Sequence, residues 1–320
     1  MRFTMRDFIK SQLAKPAPVV TADLTGKTVV VLGANTGLGF EATKHFAKMN
    51  PGRLILACRS ETRGQAALDR LKAGTGYKKA ELWIVDLANF ASVKQFADKF
   101  ERDGGRLDIL VENAAILPFK YESTKDGWES ALQVNCLATP LLAILLIPIM
   151  TRTARDHATL PRIVIVASTM HYFLKLEKSV YENSAMLKTV GSKKYCTSTA
   201  MQTRYELTKL LNVFFARALN AHLGPSTPLV VNAVCPGYCY SELRRDYSGL
   251  RAVEQGSRQL VWGAVAQGAQ PEDLRGTSDF VISPEGAKLQ ERVWEEMVQI
   301  LGEVDPRVTT TVKKYLSAEV

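Results

Sequence analysis

Short apolar, β-branched runs alternate with longer helical patterns along most of the chain, and this alternation limits the folds open to it. A strand, a helix and a further strand form a right-handed crossover, which sets the two strands parallel in one sheet. We predict an α/β fold, a doubly wound three-layer sandwich whose mostly parallel sheet has about seven strands. The predicted strands are residues 28–32, 54–57, 81–85, 108–111, 163–167, 230–234 and 279–282. The predicted helices are residues 38–49, 61–73, 90–100, 125–150, 202–222, 251–266 and 285–302.

Two stretches interrupt this alternation. Residues 1–24 form an N-terminal extension, and residues 171–200 are polar and separate a strand from its helix. Loops of that length are often lids or binding loops, so 171–200 is predicted to be an insertion that contacts substrate. Neither a repeat nor a low-complexity linker divides the sequence, so we predict a single domain over residues 1–320.

The net charge of +9 is concentrated at one end of the chain. Residues 1–79 hold 14 Lys and Arg against 5 Asp and Glu, and the rest of the chain is balanced. No basic stripe with interleaved aromatic residues is present, which argues against a nucleic-acid partner. A polyanionic small-molecule cofactor bound by this segment is the better explanation.

The five cysteines are odd in number, match no disulfide framework and follow no signal peptide. We predict reduced thiols and a cytoplasmic location. Cys235 and Cys239 flank Pro236-Gly237, which is not a zinc-ligand spacing, and no metal site is predicted.

Two segments bear on membrane contact. The apolar run 137–150 is shorter than the roughly 20 residues of a membrane span and is interrupted by prolines, so a buried helix is predicted. Residues 1–15 place apolar side chains beside basic ones. They are compatible with an amphipathic helix that packs on the domain or touches a membrane surface.

A glycine-rich turn follows the first predicted strand. Gly33, Gly37 and Gly39 allow a tight turn and a close backbone approach to a pyrophosphate at the start of a helix. Their spacing differs from the Gly-x-Gly-x-x-Gly of the commonest dinucleotide-binding fold. The second strand ends in Arg59, where an acidic residue would bind the ribose of NAD. A guanidinium there favours the 2′-phosphate of NADP, with a solvated surface arginine as the alternative.

Two Tyr-x-x-x-Lys pairs occur, Tyr205 with Lys209 and Tyr121 with Lys125. On a helix this spacing puts both side chains on one face, one turn apart. A phenol titrates at about 10, and a neighbouring ammonium lowers that pKa. Either pair could therefore transfer protons, and the spacing alone does not choose between them.

Several motifs occur in the order found in the short-chain dehydrogenase/reductase family, which the chain resembles over about residues 25–240. The resemblance implies a Rossmann-type fold and a nicotinamide cofactor. It implies four catalytic residues, Asn135, Ser168, Tyr205 and Lys209. The implied cofactor-binding residues are Gly33, Asn35, Thr36, Gly37, Leu38, Gly39, Arg59, Asp86, Leu87, Asn113, Ala114, Ala115, Tyr205, Lys209, Pro236, Gly237 and Ser241.

Motif order also separates the two tyrosine pairs. Tyr121 precedes Ser168, whereas Tyr205 follows it at the start of a helix, as in the family. The resemblance implies that Ser168 polarises the substrate oxygen and that Tyr205 delivers the proton. It further implies that Lys209 lowers the tyrosine pKa and holds the nicotinamide ribose, and that Asn135 positions a water.

The chain departs from the family in ways that narrow the resemblance. The family keeps Ser and Tyr roughly a dozen residues apart, but here the segment 171–200 lies between them. The long spacing, with the extension before Leu24, resembles the retinol dehydrogenase-like subgroup and its fungal members. Ala115 replaces a family glycine, and Glu112 stands where an asparagine is frequent. His171, close after the serine, is predicted to be structural.

The leading hypothesis is an NADP(H)-dependent oxidoreductase that interconverts a ketone or aldehyde and an alcohol on an apolar small molecule, as in fungal secondary metabolism. One alternative is a dinucleotide-binding sensor or scaffold without turnover. Another is a membrane-associated retinoid or steroid dehydrogenase, supported only by residues 1–15. The substrate pocket is expected from residues 116–121, 171–200 and 238–265, and the chain could be a monomer or a homodimer.

Overall fold

A computed structural model describes residues 4–103, 105–239, 252–266 and 277–316. Within them six parallel strands form one sheet in the order β3-β2-β1-β4-β5-β6. The reversal of strand order between β1 and β4 makes the sheet doubly wound and opens a crevice at its carboxyl edge. The strands are β1 (Thr28–Leu32), β2 (Arg53–Cys58), β3 (Ala80–Ile84), β4 (Ile109–Glu112), β5 (Arg162–Val166) and β6 (Val230–Val234).

Helices cover both faces, so the central strands are buried on both sides and consist largely of apolar residues. The first helical layer contains α2 (Gly37–Lys48), α3 (Glu61–Thr75) and α11 (Val253–Val265). The second contains α4 (Phe90–Arg102), α6 (Ala138–His157) and α10 (Arg204–His222). Two C-terminal helices, α13 (Pro284–Val304) and α14 (Pro306–Tyr315), pack on α10 and α6.

The helix predicted over 125–150 begins later and ends later, at Ser130 and His157. It consists of α5 (Ser130–Leu132), a π-helical turn (Gln133–Leu137) and α6. Gly127 has a φ of 85° in the preceding turn, and the Glu129 carboxylate accepts bonds from the first helical N–H groups, which explains the start. By length and composition this helix could cross a membrane, but 89% of its most apolar window is buried inside the protein. It is a core helix.

The strand predicted at 279–282 is wrong, because these residues form a short helix, α12 (Asp279–Ile282). Ser278 accepts a bond from the Val281 N–H, and Ser283 caps α13 directly afterwards. The backbone is thereby satisfied locally, and the described sheet has six strands instead of seven.

Both interruptions in the pattern contain helices among their described residues. The extension forms α1 (Met5–Leu13), whose Gln12 side chain accepts a 2.7 Å bond from the Tyr238 N–H after β6. Phe8 also meets the Tyr238 ring edge-on, so the extension packs on the domain. The insertion contains a 3-10 turn (Thr169–Phe173) followed by α7 (Lys178–Tyr181), α8 (Met186–Gly191) and α9 (Ser198–Gln202).

Candidate active site

The glycine turn after β1 shows the packing that a dinucleotide-binding turn requires. Gly33 has a φ of 71°, and a Cβ there would lie 2.9 Å from the Ala114 Cα. A Cβ on Gly39 would lie 2.5 Å from the Gly33 carbonyl oxygen. At Gly37, the first residue of α2, the corresponding space is open within 4 Å. Two glycines thus close the turn, and the third leaves room at a helix N-terminus for a phosphate.

Residues after β4 hold this turn in place. The Asn113 side-chain amide donates to the carbonyl oxygens of Leu32 and Gly33, at 3.0 and 3.2 Å. Ala114 and Ala115 follow at the same sheet edge. A residue outside the motifs also contributes, since the Arg70 guanidinium donates to the Asn35 carbonyl at 3.1 Å and lies over Phe40.

Three further residues that the resemblance implies bind the cofactor lie after β2 and β3. Arg59 follows β2 and is exposed, free of the sheet core. Asp86 is half-buried, and its carboxylate accepts a 3.0 Å bond from the Ala88 N–H, which shapes the turn. Leu87 is buried in the core beneath it. Thr36 is the N-cap of α2, and Leu38 is the second residue of that helix.

Asn135 lies in the π-helical turn. Its side chain pairs with the Ile116 backbone, accepting from N–H and donating to C=O, each at 2.9 Å. The extra residue of a π turn moves its main-chain carbonyl out of the ordinary helical ladder. That carbonyl accepts a 2.7 Å bond from the Asn212 side chain, a residue that the motif analysis did not identify.

Ser168 lies two residues after β5, at the start of the 3-10 turn, and is half-buried. Its carbonyl contacts His171 Nδ1 at 2.6 Å, and the Ser278 N–H approaches Nε2 of the same ring at 3.4 Å. Burial lowers the pKa of His171, and the backbone contact only partly opposes this. A buried ring with both nitrogens engaged by backbone suits a structural histidine better than a base.

Tyr205 and Lys209 lie on one face of α10, with the Lys209 ammonium 5.5 Å from the centre of the Tyr205 ring. Lys209 is buried and donates a 2.7 Å bond to the Val166 carbonyl at the end of β5. Burial lowers the pKa of Lys209 to about 8, and the thiols of Cys136 and Cys235 oppose that shift. An ammonium fixed beside a half-buried phenol is the arrangement that proton transfer requires.

The second tyrosine pair lacks this geometry. Tyr121 and Lys125 lie in the loop and turn before α5, outside any helix, and Lys125 is exposed. The helical spacing argument therefore applies to Tyr205 and Lys209 and not to this pair.

The loop after β6 completes the same edge of the sheet. Pro236 and Gly237 follow the strand, and Gly237 has a φ of 81°. Gly256 of α11 has no Cβ, which lets that helix approach Pro236 and Leu38 closely. Ser241 lies outside the described residues.

Glu112, at the end of β4, is a buried carboxylic acid. Neither side-chain oxygen has a hydrogen-bond partner among the described residues, and burial raises its pKa well above the usual range. Its neighbours in the sheet are Leu32 and Ile165. Because only the neutral acid tolerates this environment, the site favours a protonated side chain.

Glu112→Gln is expected to raise Tm by a few degrees at pH 8 and to have little effect near pH 4. The raised pKa makes the contribution of the neutral acid complete below the unfolded-state pKa of about 4.3, and it is lost as pH rises towards the folded-state pKa. Thermal unfolding across that pH range measures it. Glu81→Gln is the matched control, because a hydrogen bond from Arg53 lowers the pKa of Glu81 and this substitution should not stabilise. A pH-independent effect of Glu112→Gln would contradict the prediction.

Known proteins are similar to this chain in sequence and in fold. A family model described as short chain dehydrogenase matches residues 27–185. The chain is 34% identical to the short chain dehydrogenase/reductase dmxR8 of Cryptosporiopsis sp., over 95% of this chain and 99% of that protein. It is 35% identical to the short-chain dehydrogenase anuD of Penicillium roqueforti, over 94% and 84% of the two chains.

Among solved structures, salutaridine reductase from Papaver somniferum is similar, with a TM-score of 0.61 over 77% of this chain and 97% of that one. At 20% identity this likeness shows a shared fold. The near full-length fungal relatives and the family model show more, and the chain belongs to the short-chain dehydrogenase/reductase family of oxidoreductases.

Proposed function

We propose that the protein is an NADP(H)-dependent oxidoreductase that interconverts a ketone or aldehyde and an alcohol on an apolar small molecule. The observation that carries this proposal is the Tyr205–Lys209 pair on α10, held beside the end of β5 by the bond from Lys209 to Val166. Ser168 lies two residues after the same strand, and the 3-10 turn that it begins packs against α10, so its hydroxyl is the third group that we assign to this edge of the sheet.

In the reductive direction, the Ser168 hydroxyl donates a hydrogen bond to the carbonyl oxygen of the substrate and polarises it. The bound nicotinamide supplies the hydride. The Tyr205 phenol gives its proton to the developing alkoxide, and the Lys209 ammonium stabilises the phenolate that remains. Oxidation of the alcohol uses the same groups in reverse.

The π turn that carries Asn135 packs against α10, the helix of Tyr205 and Lys209. The main-chain carbonyl of Asn135 accepts bonds from the Asn212 amide at 2.7 Å and from the Thr139 hydroxyl at 3.1 Å. We assign to Asn135 the positioning of a water that returns a proton to Lys209, with the Asn212 amide fixing the carbonyl. Its side chain, tied to Ile116, orients the π turn that makes this possible.

NADP preference is supported by the end of β2. Cys58 is buried, Arg59 is exposed, and no carboxylate stands at the position that would bind the ribose hydroxyls of NAD. An exposed guanidinium supplies a planar fork for a 2′-phosphate.

We expect the purified protein to oxidise NADPH in the presence of apolar aromatic or alicyclic ketones, and to use NADH less well. Arg59→Ala should raise the KM for NADPH by about 10- to 100-fold and leave that for NADH nearly unchanged, because a charge-assisted bond to the 2′-phosphate is lost. Arg102→Ala, an exposed arginine at the end of α4, is the control. Equal effects of Arg59→Ala on both cofactors would refute the phosphate contact.

The same assay separates the enzyme from a sensor. Tight NADPH binding, measured by protein fluorescence, with no turnover of any ketone or alcohol would favour a sensor or scaffold.

The fungal relatives support a role in fungal small-molecule metabolism, and the five free cysteines support a cytoplasmic location. Because α13 and α14 cover the outer faces of α10 and α6, we favour a monomer over a homodimer formed through these helices.

A further inference from the structure

Arg204, directly before Tyr205 in the chain, is a charged side chain with 1% of its surface exposed. Its Nε donates a 2.8 Å bond to Glu129 Oε2, and its Nη2 donates to the same oxygen. Its Nη1 donates a 2.8 Å bond to the Val190 carbonyl. The guanidinium therefore links the first turn of α10 to Glu129, 75 residues away in the sequence, and to Val190, 14 residues away.

Through Glu129, the Arg204 guanidinium is bonded to the start of the helix that carries Asn135. The Glu129 carboxylate, fully buried, accepts 2.9 Å bonds from the Ala131 and Leu132 N–H groups at the start of α5. The π turn with Asn135 follows directly. One carboxylate thus caps the Asn135 helix and binds the residue next to Tyr205.

Through Val190, the Arg204 guanidinium is also bonded to the insertion, residues 171–200. Val190 lies in the last turn of α8, and the Glu296 carboxylate of α13 accepts bonds from the Leu187 and Lys188 N–H groups at the start of that helix, at 2.8 and 3.0 Å. The insertion helix is therefore fixed at both ends. Gly191 then packs so closely on Leu132 that a Cβ would lie 2.9 Å from it.

The hydrogen bonds of Arg204 matter more at the start of α10 than at an ordinary helix start, because the usual side-chain cap is missing among the described residues there. The N-cap residue Thr203 makes no side-chain capping bond to the described first turn, in which Tyr205 lies. A buried guanidinium is stable only where its N–H groups meet acceptors in one geometry, so it restricts orientation strongly. Lysine cannot reproduce this, because it has no planar fork.

We propose that Arg204, through Glu129 and Val190, is a positioning residue that fixes the Tyr205 phenol relative to the Asn135 helix and the insertion. This role rests on the proposed function, since it concerns the placement of the proton donor. It also makes the insertion part of the catalytic framework, so that movement of α8 displaces the phenol.

The test compares Arg204→Met and Arg204→Lys with Arg106→Met. The control also removes an arginine from a buried carboxylate, Asp108, but at the opposite end of β4. NADPH with an aromatic 1,2-diketone is the activity probe, and amide hydrogen exchange of the NADPH complex reports on residues 203–209 and 186–191.

For Arg204→Met we expect kcat to fall by about 100-fold, because a displacement of about 1 Å has that effect on an oriented reaction. The KM for NADPH should stay within about two-fold of wild type, and exchange at 203–209 should accelerate by at least about ten-fold. Arg204→Lys should not restore either property. Arg106→Met should lower Tm without changing kcat or this exchange.

Wild-type kcat and wild-type exchange at 203–209 in Arg204→Met, with only a lowered Tm, would overturn the proposal. If this variant does not fold, Arg204→Met combined with Glu129→Met removes both charges and should fold, with the same loss of kcat and of protection. If the wild-type protein reduces no diketone, the proposed function is in doubt, and the exchange comparison alone then decides the positioning role.

Discussion

Tyr205→Phe is expected to lower kcat by about 10²- to 10⁴-fold, the range that a positioned proton donor contributes. The substitution removes one hydroxyl and keeps the ring, so the packing of α10 and its contact with Lys209 should survive. Binding of NADPH should therefore stay within a few-fold of wild type. Steady-state rates with NADPH and an apolar ketone, together with a fluorescence titration of NADPH, measure both effects.

The matched control is Tyr121→Phe, which removes the same hydroxyl from the other Tyr-x-x-x-Lys pair. It should lower kcat far less than Tyr205→Phe does, because Tyr121 lies in a loop outside any helix and its expected role is to line the substrate pocket, not to transfer a proton. Undiminished turnover in Tyr205→Phe, or an equal loss in both variants, would remove Tyr205 from the mechanism.

Lys209→Met is expected to lower kcat by about 10²- to 10³-fold, because it removes a buried charge that stabilises the phenolate. The stability of the folded protein, in contrast, should stay equal or rise. Burial lowers the pKa of Lys209 to about 8, so the buried ammonium costs stability below that pH, and methionine avoids this cost. An inactive variant with an equal or higher Tm would separate catalysis from folding.

The same pKa predicts how wild-type activity depends on pH. The rate of ketone reduction at saturating NADPH should decline above about pH 8, because the Lys209 ammonium then loses its proton. Wild-type stability should rise between about pH 8 and pH 10.4, because the unfolded chain then binds more protons than the folded one. Lys288→Met, at an exposed lysine of α13 outside the predicted site, should change neither profile. Full activity of Lys209→Met at neutral pH would contradict the assignment.

Strand and turn chemistry made much of the fold predictable. Five-residue apolar runs such as Thr28–Leu32 and Val230–Val234 are strands with the predicted bounds. The prediction failed at Asp279–Ile282, where a run of four residues has no periodicity long enough to separate strand from helix. There the serine caps at both ends decided the outcome. The start of the long helix was misplaced because its cap is a glutamate, not one of the usual capping residues.

The positions of the motif residues in the fold were predictable for a similar reason, whereas the residues that support them were not. The Tyr205–Lys209 spacing and the glycine turn are local, and motif order chose between the two tyrosine pairs. Asn212, Arg70 and Glu112 belong to no such pattern, and their roles follow from contacts or burial seen only in the folded chain. Arg204 and Glu129 are 75 residues apart in sequence. In the sequence each resembles an ordinary surface charge.

By itself, the sequence determined the alternation of strand and helix, the glycine turn and the chemical types of the proposed catalytic groups, because these depend on residues close together in the chain. Only the tertiary structure decided that the insertion is clamped at α8, that Lys209 is buried against Val166, and that Arg204 joins three segments at the start of the Tyr205 helix. Burial and long-range hydrogen bonds arise when separate segments pack together, and they set the pKa and the position of each group.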